Sequence, residues 1–174
     1  MHRAGIDVPV KQGGHQYCQR NKSHGVSCVL SHRPLSFSVR SPAGLRGLFG
    51  GQPAEYDLDV VAFLCDADGK VRDVGRDASG KPTLKNSDVI YFNNLKHRTG
   101  DIWLTGDNRT GAGDGDDEQI VVKLNNISSD FHKIAFIVQI YEGAKNNQHF
   151  GQVQNAFIRA VDASGKEMVR FDLS

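Results

Sequence analysis

Long apolar runs are missing from this chain of 174 residues. No stretch approaches the roughly 18 consecutive apolar residues of a membrane-spanning helix, and the first residues lack the apolar core of a secretory signal. Cysteine is sparse: Cys18, Cys28 and Cys65 are odd in number and form no Cys-x-x-Cys pair, a usage that fits free thiols in a reducing compartment. The expected location is therefore the cytoplasm. Tryptophan occurs once, at Trp103, and long helical periodicity is absent. So is a phosphate-cradling loop, because Gly111-Ala-Gly113 is not followed by Gly-Lys-Ser/Thr. No Ser/Cys/His arrangement suggests a nucleophilic enzyme.

What is present is charge, unevenly divided. Residues 1–50 carry seven Lys/Arg against the single Asp7, a balance of +6. The remaining 14 Lys/Arg face 19 Asp/Glu, a balance of −5, so the total of +1 hides a basic arm on an acidic body. The length suits one domain with a substantial core.

From residue 56 the chain reads as short strands. Residues 56–65, 89–92, 120–124, 134–141, 156–161 and 167–173 are rich in Val, Ile, Phe and Tyr and have strand length. Three similar turns, at 66–70, 77–81 and 162–166, place glycine fourth, where a type I turn ends in a left-handed residue. The first and third are expected to join adjacent antiparallel strands. Many short strands with regular turns predict an all-β fold, a β-sandwich of short antiparallel strands, with one short helix around 147–153.

The densest chemical signal lies at 106–118, GDNRTGAGDGDDE. Asp107, Asp114, Asp116, Asp117 and Glu118 crowd a glycine-rich loop with Arg109 as the nearby cation. Two carboxylates about 4 Å apart repel by roughly 4 kcal/mol at the effective dielectric of a protein surface, so such a cluster calls for a positive ion. Calcium, with about 6 to 8 oxygen ligands in forgiving geometry, suits the loop better than the stiffer magnesium octahedron. The stretch from Asp107 to Glu118 has the length of an EF-hand loop, but Arg109, Gly111 and Ala112 stand where ligands and the obligatory glycine should be. A short β-branched segment follows in place of an exiting helix, and the EF-hand is rejected.

Asp57 and Asp59, two apart on a strand, share one face. Asn93 and Asn94 follow the next strand, either as turn formers or as calcium oxygens. Taken in order, Tyr56-Asp-Leu-Asp59, Ser87-Asp-Val-Ile-Tyr-Phe-Asn-Asn-Leu-Lys96, Thr105-Gly-Asp-Asn-Arg-Thr110, Gly113-Asp-Gly-Asp-Asp-Glu118, Phe150-Gly-Gln-Val153, Asn155-Ala-Phe-Ile-Arg159 and Arg170-Phe-Asp-Leu173 resemble the tellurite-resistance TerD-domain family of stress proteins. The resemblance implies a sandwich whose loops at one end bind calcium, two ions being expected, in a nonenzymatic protein that acts with protein partners of a stress-resistance complex. The inner membrane surface is one place for that complex. Carried over residue by residue, the metal ligands are Asp57, Asp59, Asn93, Asp107, Asn108, Asp114, Asp116, Asp117 and Glu118. Asp88 and Asn94 match family positions as well, as formers of the neighbouring turn.

Residues 1–45 lack the family's usual strand-forming start, and the chain stops soon after Leu173, where many members continue. The expected division is a basic arm at 1–45, disordered or atypical and dispensable for fold and calcium binding, followed by a domain at 46–174, with a shortened C-terminal end as one option. His15, Cys18, His24, Cys28 and His32 match no standard zinc spacing, and the arm has no compact basic run or aromatic interleaving to favour nucleic acid. The alternative function is a magnesium-dependent phosphoryl-transfer enzyme or hydrolase. His97 is its nearest candidate base, although the polar turn around it reads as a surface histidine.

Overall fold

The computed structural model describes residues 4–9, 19–21, 25–27, 35–40, 56–105, 118–153 and 156–173. In chain order the strands are β1 (Ala4–Pro9), β2 (Gln19–Asn21), β3 (Gly25–Ser27), β4 (Leu35–Arg40), β5 (Leu58–Cys65), β6 (Val89–Ile90), β7 (Ile102–Thr105), β8 (Glu118–Val122), β9 (Lys133–Ile140), β10 (Phe157–Asp162) and β11 (Glu167–Asp172). Two antiparallel sheets form the sandwich, one in the order β1-β9-β5-β6 and one in the order β11-β10-β4-β8-β7; β2 and β3 make a separate ribbon.

Period-two alternation sets the core. Along β9, Ile134, Phe136 and Val138 are buried, and their neighbours are half-exposed. Leu58, Val60, Ala62 and Leu64 of β5 face Ile120 and Val122 of β8, Ile102 and Leu104 of β7 and Phe37 and Val39 of β4 within one cluster. The rings of Phe37 and Phe136 stack at 4.0 Å between centroids and tie the two sheets together.

Two segments of the region expected to stand apart from the sandwich supply strands to it. β1 pairs with β9 over its whole length, from Ala4 opposite Val138 to Pro9 opposite Lys133. β4 lies in the middle of the five-stranded sheet, between β10 and β8. Its sequence, Leu-Ser-Phe-Ser-Val-Arg, alternates strictly, and Pro34 and Pro42 border the strand instead of breaking it.

The three glycine turns adopt the expected left-handed residue, with φ of 75° at Gly69, 82° at Gly80 and 85° at Gly165. The third joins β10 to β11. The first does not join adjacent strands as expected. The chain leaving residue 70 is tied instead to the segment before β6, where Asp88 N–H donates to Asp73 O at 2.8 Å. The second closes an isolated bridge between Arg76 and Pro82. The helix expected around 147–153 is one 3-10 turn, Phe150–Gln152. β7 carries no long pattern, yet Ile102 and Leu104 are buried while Trp103 and Thr105 are half-exposed.

Candidate functional site

One end of the sandwich gathers the described candidates. β5 begins there, β6 gives way there to the turn at Tyr91–Asn94, β7 ends there at Thr105 and β8 begins there at Glu118. Thr105 and Gln119 are register partners, so both anchors of the acidic segment 106–117 belong to this end. Asp107, Asn108, Asp114, Asp116 and Asp117 lie outside the described residues.

Register explains where the remaining ligand candidates stand. Leu58 and Val60 enter the core, so Asp57 and Asp59 project from the opposite face of the four-stranded sheet. Tyr141 N–H donates to Asp57 O at 2.8 Å, which continues the ladder with β9 one residue beyond β5. Asp59 sits opposite Gln139, whose Nε2 donates to Asp59 Oδ2 at 3.3 Å. Although Asp59 is on the outer face, it is only 5% exposed.

Glu118 arrives from the other sheet. It shares the inward face of β8 with Ile120 and Val122 and is only 3% exposed. Val60 N–H points to the side of β5 where β6 would continue, but β6 stops at Ile90, opposite Ala62. Glu118 Oε2 fills that gap and accepts the Val60 N–H at 2.6 Å. Glu118 thus reaches the main chain of β5 from the core face, while Asp59, one residue earlier along the strand, stands on the opposite face beside Gln139 of β9.

The asparagines divide. Asn93 is exposed at the turn, whereas Asn94 is buried and structural: its Nδ2 donates to Val89 O at 2.6 Å and its Oδ1 accepts Asn86 N–H at 3.2 Å. Asp88 belongs to the opposite end of the sandwich, where Leu64 N–H donates to its carbonyl at 2.9 Å. Its carboxylate accepts Asp73 N–H at 3.0 Å and pairs with Arg98 at 2.9 Å. His97 is a correction to the sequence reading, because it is buried, at 2% exposure, instead of lying on the surface. Its Nδ1 accepts Thr99 N–H at 3.3 Å, so Nε2 carries the proton and donates to Asp88 at 3.2 Å. The edge of the ring against Phe131 completes the enclosure, and the turn's polar sequence concealed it.

The described donors at the β5 edge are oxygens of carboxylates and amides, the ligand chemistry of a hard cation. Among the described residues, no three of His, Cys, Asp and Glu stand close enough to hold a metal. Sequence reasoning missed Gln139 and the Val60 N–H, since nothing but strand register reveals either.

Residues 34–174 match the TerD domain family. A tellurium resistance protein TerX from Serratia marcescens is 66% identical over 130 residues, covering 75% of this chain and 61% of that protein. A tellurium resistance protein TerD from Alcaligenes sp. is 45% identical over 121 residues, covering 69% and 57%. The stress response protein SCP2 from Bacillus subtilis is 43% identical over 127 residues, covering 72% and 57%. The chain thus spans 57–61% of the length of these curated relatives. The crystal structure of a homologue of telluride resistance protein TerD from Streptomyces coelicolor superposes with a TM-score of 0.55 at 19% identity, covering 81% of this chain and 72% of that one, a likeness of fold.

Proposed function

The chain belongs to the TerD domain family of tellurium-resistance and stress proteins, and we propose on that premise that it is a calcium-binding, nonenzymatic module that acts through protein partners. The observation that carries this reading is the pair of buried carboxylates, Asp59 and Glu118, at the sheet edge where segment 106–117 enters and leaves. Buried carboxylates from both sheets, beside the two ends of an acidic loop, are oxygen donors of the kind a hard divalent ion takes. Asp57 and Asn93 flank the same edge. Asp107, Asn108, Asp114, Asp116 and Asp117 supply the further ligands, enough for two ions. When bound, calcium would offset the carboxylate repulsion and hold the loop against the sheet edge as a surface for partners.

The magnesium-enzyme reading loses its candidate base, because both ring nitrogens of His97 are engaged at the opposite end of the sandwich. No helix among the described residues is long and apolar enough to cross a membrane. The module's place is the cytoplasm, with a partner complex that can include the inner membrane surface.

Calcium titration by calorimetry tests the reading, with melting curves in calcium and in chelator. Binding to the folded chain alone stabilises by about 2.7 kcal/mol at a hundredfold excess over Kd. Asp57→Asn with Asp59→Asn should weaken calcium binding while the chelated protein keeps its fold. Identical melts in millimolar calcium and in chelator would remove the proposal, and wild-type calcium affinity in the double variant would remove Asp57 and Asp59 from the site.

A further inference from the structure

Beside this end of the sandwich, the chain leaving β9 curls around a cavity of about 640 Å³, within the size range of small-molecule sites. Ile140 and Phe150 form apolar parts of its lining, and Phe92 and Tyr141 add two aromatic rings set edge to face at 5.9 Å and 89°. Tyr141 is 41% exposed, an unusual position for a ring that has packing partners close by.

The cavity is preformed. Gly143 N–H donates to Ile140 O at 3.1 Å, Asn146 N–H to Glu142 O at 3.0 Å and Gln148 N–H to Gly143 O at 2.7 Å. A Cβ at residue 143 would come within 3.0 Å of Ile140 Cβ, so glycine permits the tight curl. Glu142 and Asn147, at φ of 48° and 53°, are non-glycine residues in the left-handed region, and both line the cavity. Such strain persists where surrounding structure holds it, often at ligand sites.

Lining chemistry selects the ligand. Among the described lining residues, Glu142 and Lys145 carry the formal charges and pair at 2.8 Å, so the rim has no net charge to favour an ionic head group. Asn147 offers an amide with both donor and acceptor capacity. The exposed ring of His149 adds an imidazole edge to the lining, while its main-chain carbonyl accepts Gln152 N–H at 3.0 Å. Aromatic walls with amide and imidazole groups at the edge suit a flat ring that carries hydrogen-bonding atoms on its perimeter.

We propose that this cavity binds a small, uncharged planar heterocycle of nucleobase size, stacked on the face of Tyr141 and edge-on to the perpendicular ring of Phe92, with its polar edge toward Asn147 and His149. The proposal stands independently of calcium. Amide-resolved NMR titration of the full chain with adenosine and guanosine, in chelator and with ribose as the non-planar control, tests it. Shifts should cluster at residues 139–150 with at least one nucleoside and be absent with ribose. Tyr141→Ala should weaken binding about tenfold by removing one aromatic contact. Ala144→Phe, which fills the cavity from its lining, should abolish binding even if the first variant misfolds. Absence of shifts at millimolar nucleoside, equal response to ribose, or unchanged binding in the folded Ala144→Phe variant would overturn the proposal.

Discussion

Glu118 Oε2 accepts the main-chain N–H of Val60 at 2.6 Å, a hydrogen bond that runs from the first residue of a strand in one sheet to a central strand of the other. It stands in for the strand pairing that β6 stops short of providing. The same carboxylate is a proposed calcium ligand, so sheet integrity and ion binding converge on one side chain.

That double duty separates two substitutions. Glu118→Ala strands a buried N–H and should cost about 1–3 kcal/mol by chemical denaturation in chelator. Glu118→Gln keeps an acceptor oxygen and should recover part of that loss, while still weakening the calcium-dependent rise in melting temperature. Equal destabilisation by the two variants would show that the N–H finds another partner.

His97 predicts the reverse pattern. Removing its ring by His97→Ala deprives the buried Asp88 of a donor and leaves a void beside Phe131, at an expected cost of about 2 kcal/mol or more. Calcium affinity of the folded fraction should be unchanged, because this network lies at the far end of β5. A changed affinity measured by calorimetry would tie the two ends together.

Strands β1 and β4, both before residue 46, belong to the two sheets of the sandwich. Deleting residues 1–45 removes the strand between β8 and β10, exposes two sheet edges and takes Phe37 from its stack on Phe136. The product should be insoluble or lack a cooperative melt. Phe37→Ala in the full chain should cost about 3–5 kcal/mol. A soluble truncation with a wild-type melt would restore a boundary at residue 46.

Acid sensitivity follows from the three repeated turns. Asp77 is held below the usual carboxylate range first by the Ser79 hydroxyl and then by Lys81 N–H, and Asp162 likewise by Ser164 and Lys166. Lys70 N–H and then the Arg72 guanidinium lower Asp66. A carboxyl lowered on folding stabilises fully above its unfolded value, about 3.9, and that contribution is lost as pH falls through the lowered folded values. The stability gap between wild type and the triple variant Asp66→Asn, Asp77→Asn, Asp162→Asn should therefore narrow as pH falls below about 4. Denaturation series across that window check it, and a gap independent of pH would refute the assignment.

Local physics was legible in the residues themselves. Strand-forming runs fell within a residue or two of β5, β8, β9, β10 and β11, because alternating apolar side chains need little context. The turn glycines were readable because a left-handed position penalises every side chain. The acidic cluster at 106–118 was legible as a cluster because carboxylate crowding is a property of spacing. Tertiary structure alone decided which segments found partners. β4 alternates as clearly as any strand, yet charge and proline content masked it, and its membership depends on β8 and β10, whose paired residues lie far along the chain, as Val39 opposite Glu118 and Phe157 opposite Arg40. His97 and Asn94 look like turn residues until Asp88, Phe131 and the carbonyl of Val89 close around them. Glu118 reads as the last acid of a loop, and its bond to Val60 exists because β6 ends two residues too soon to supply one. Burial and register are long-range quantities: each is set by the chain that packs opposite a residue, which neighbouring residues in sequence do not encode.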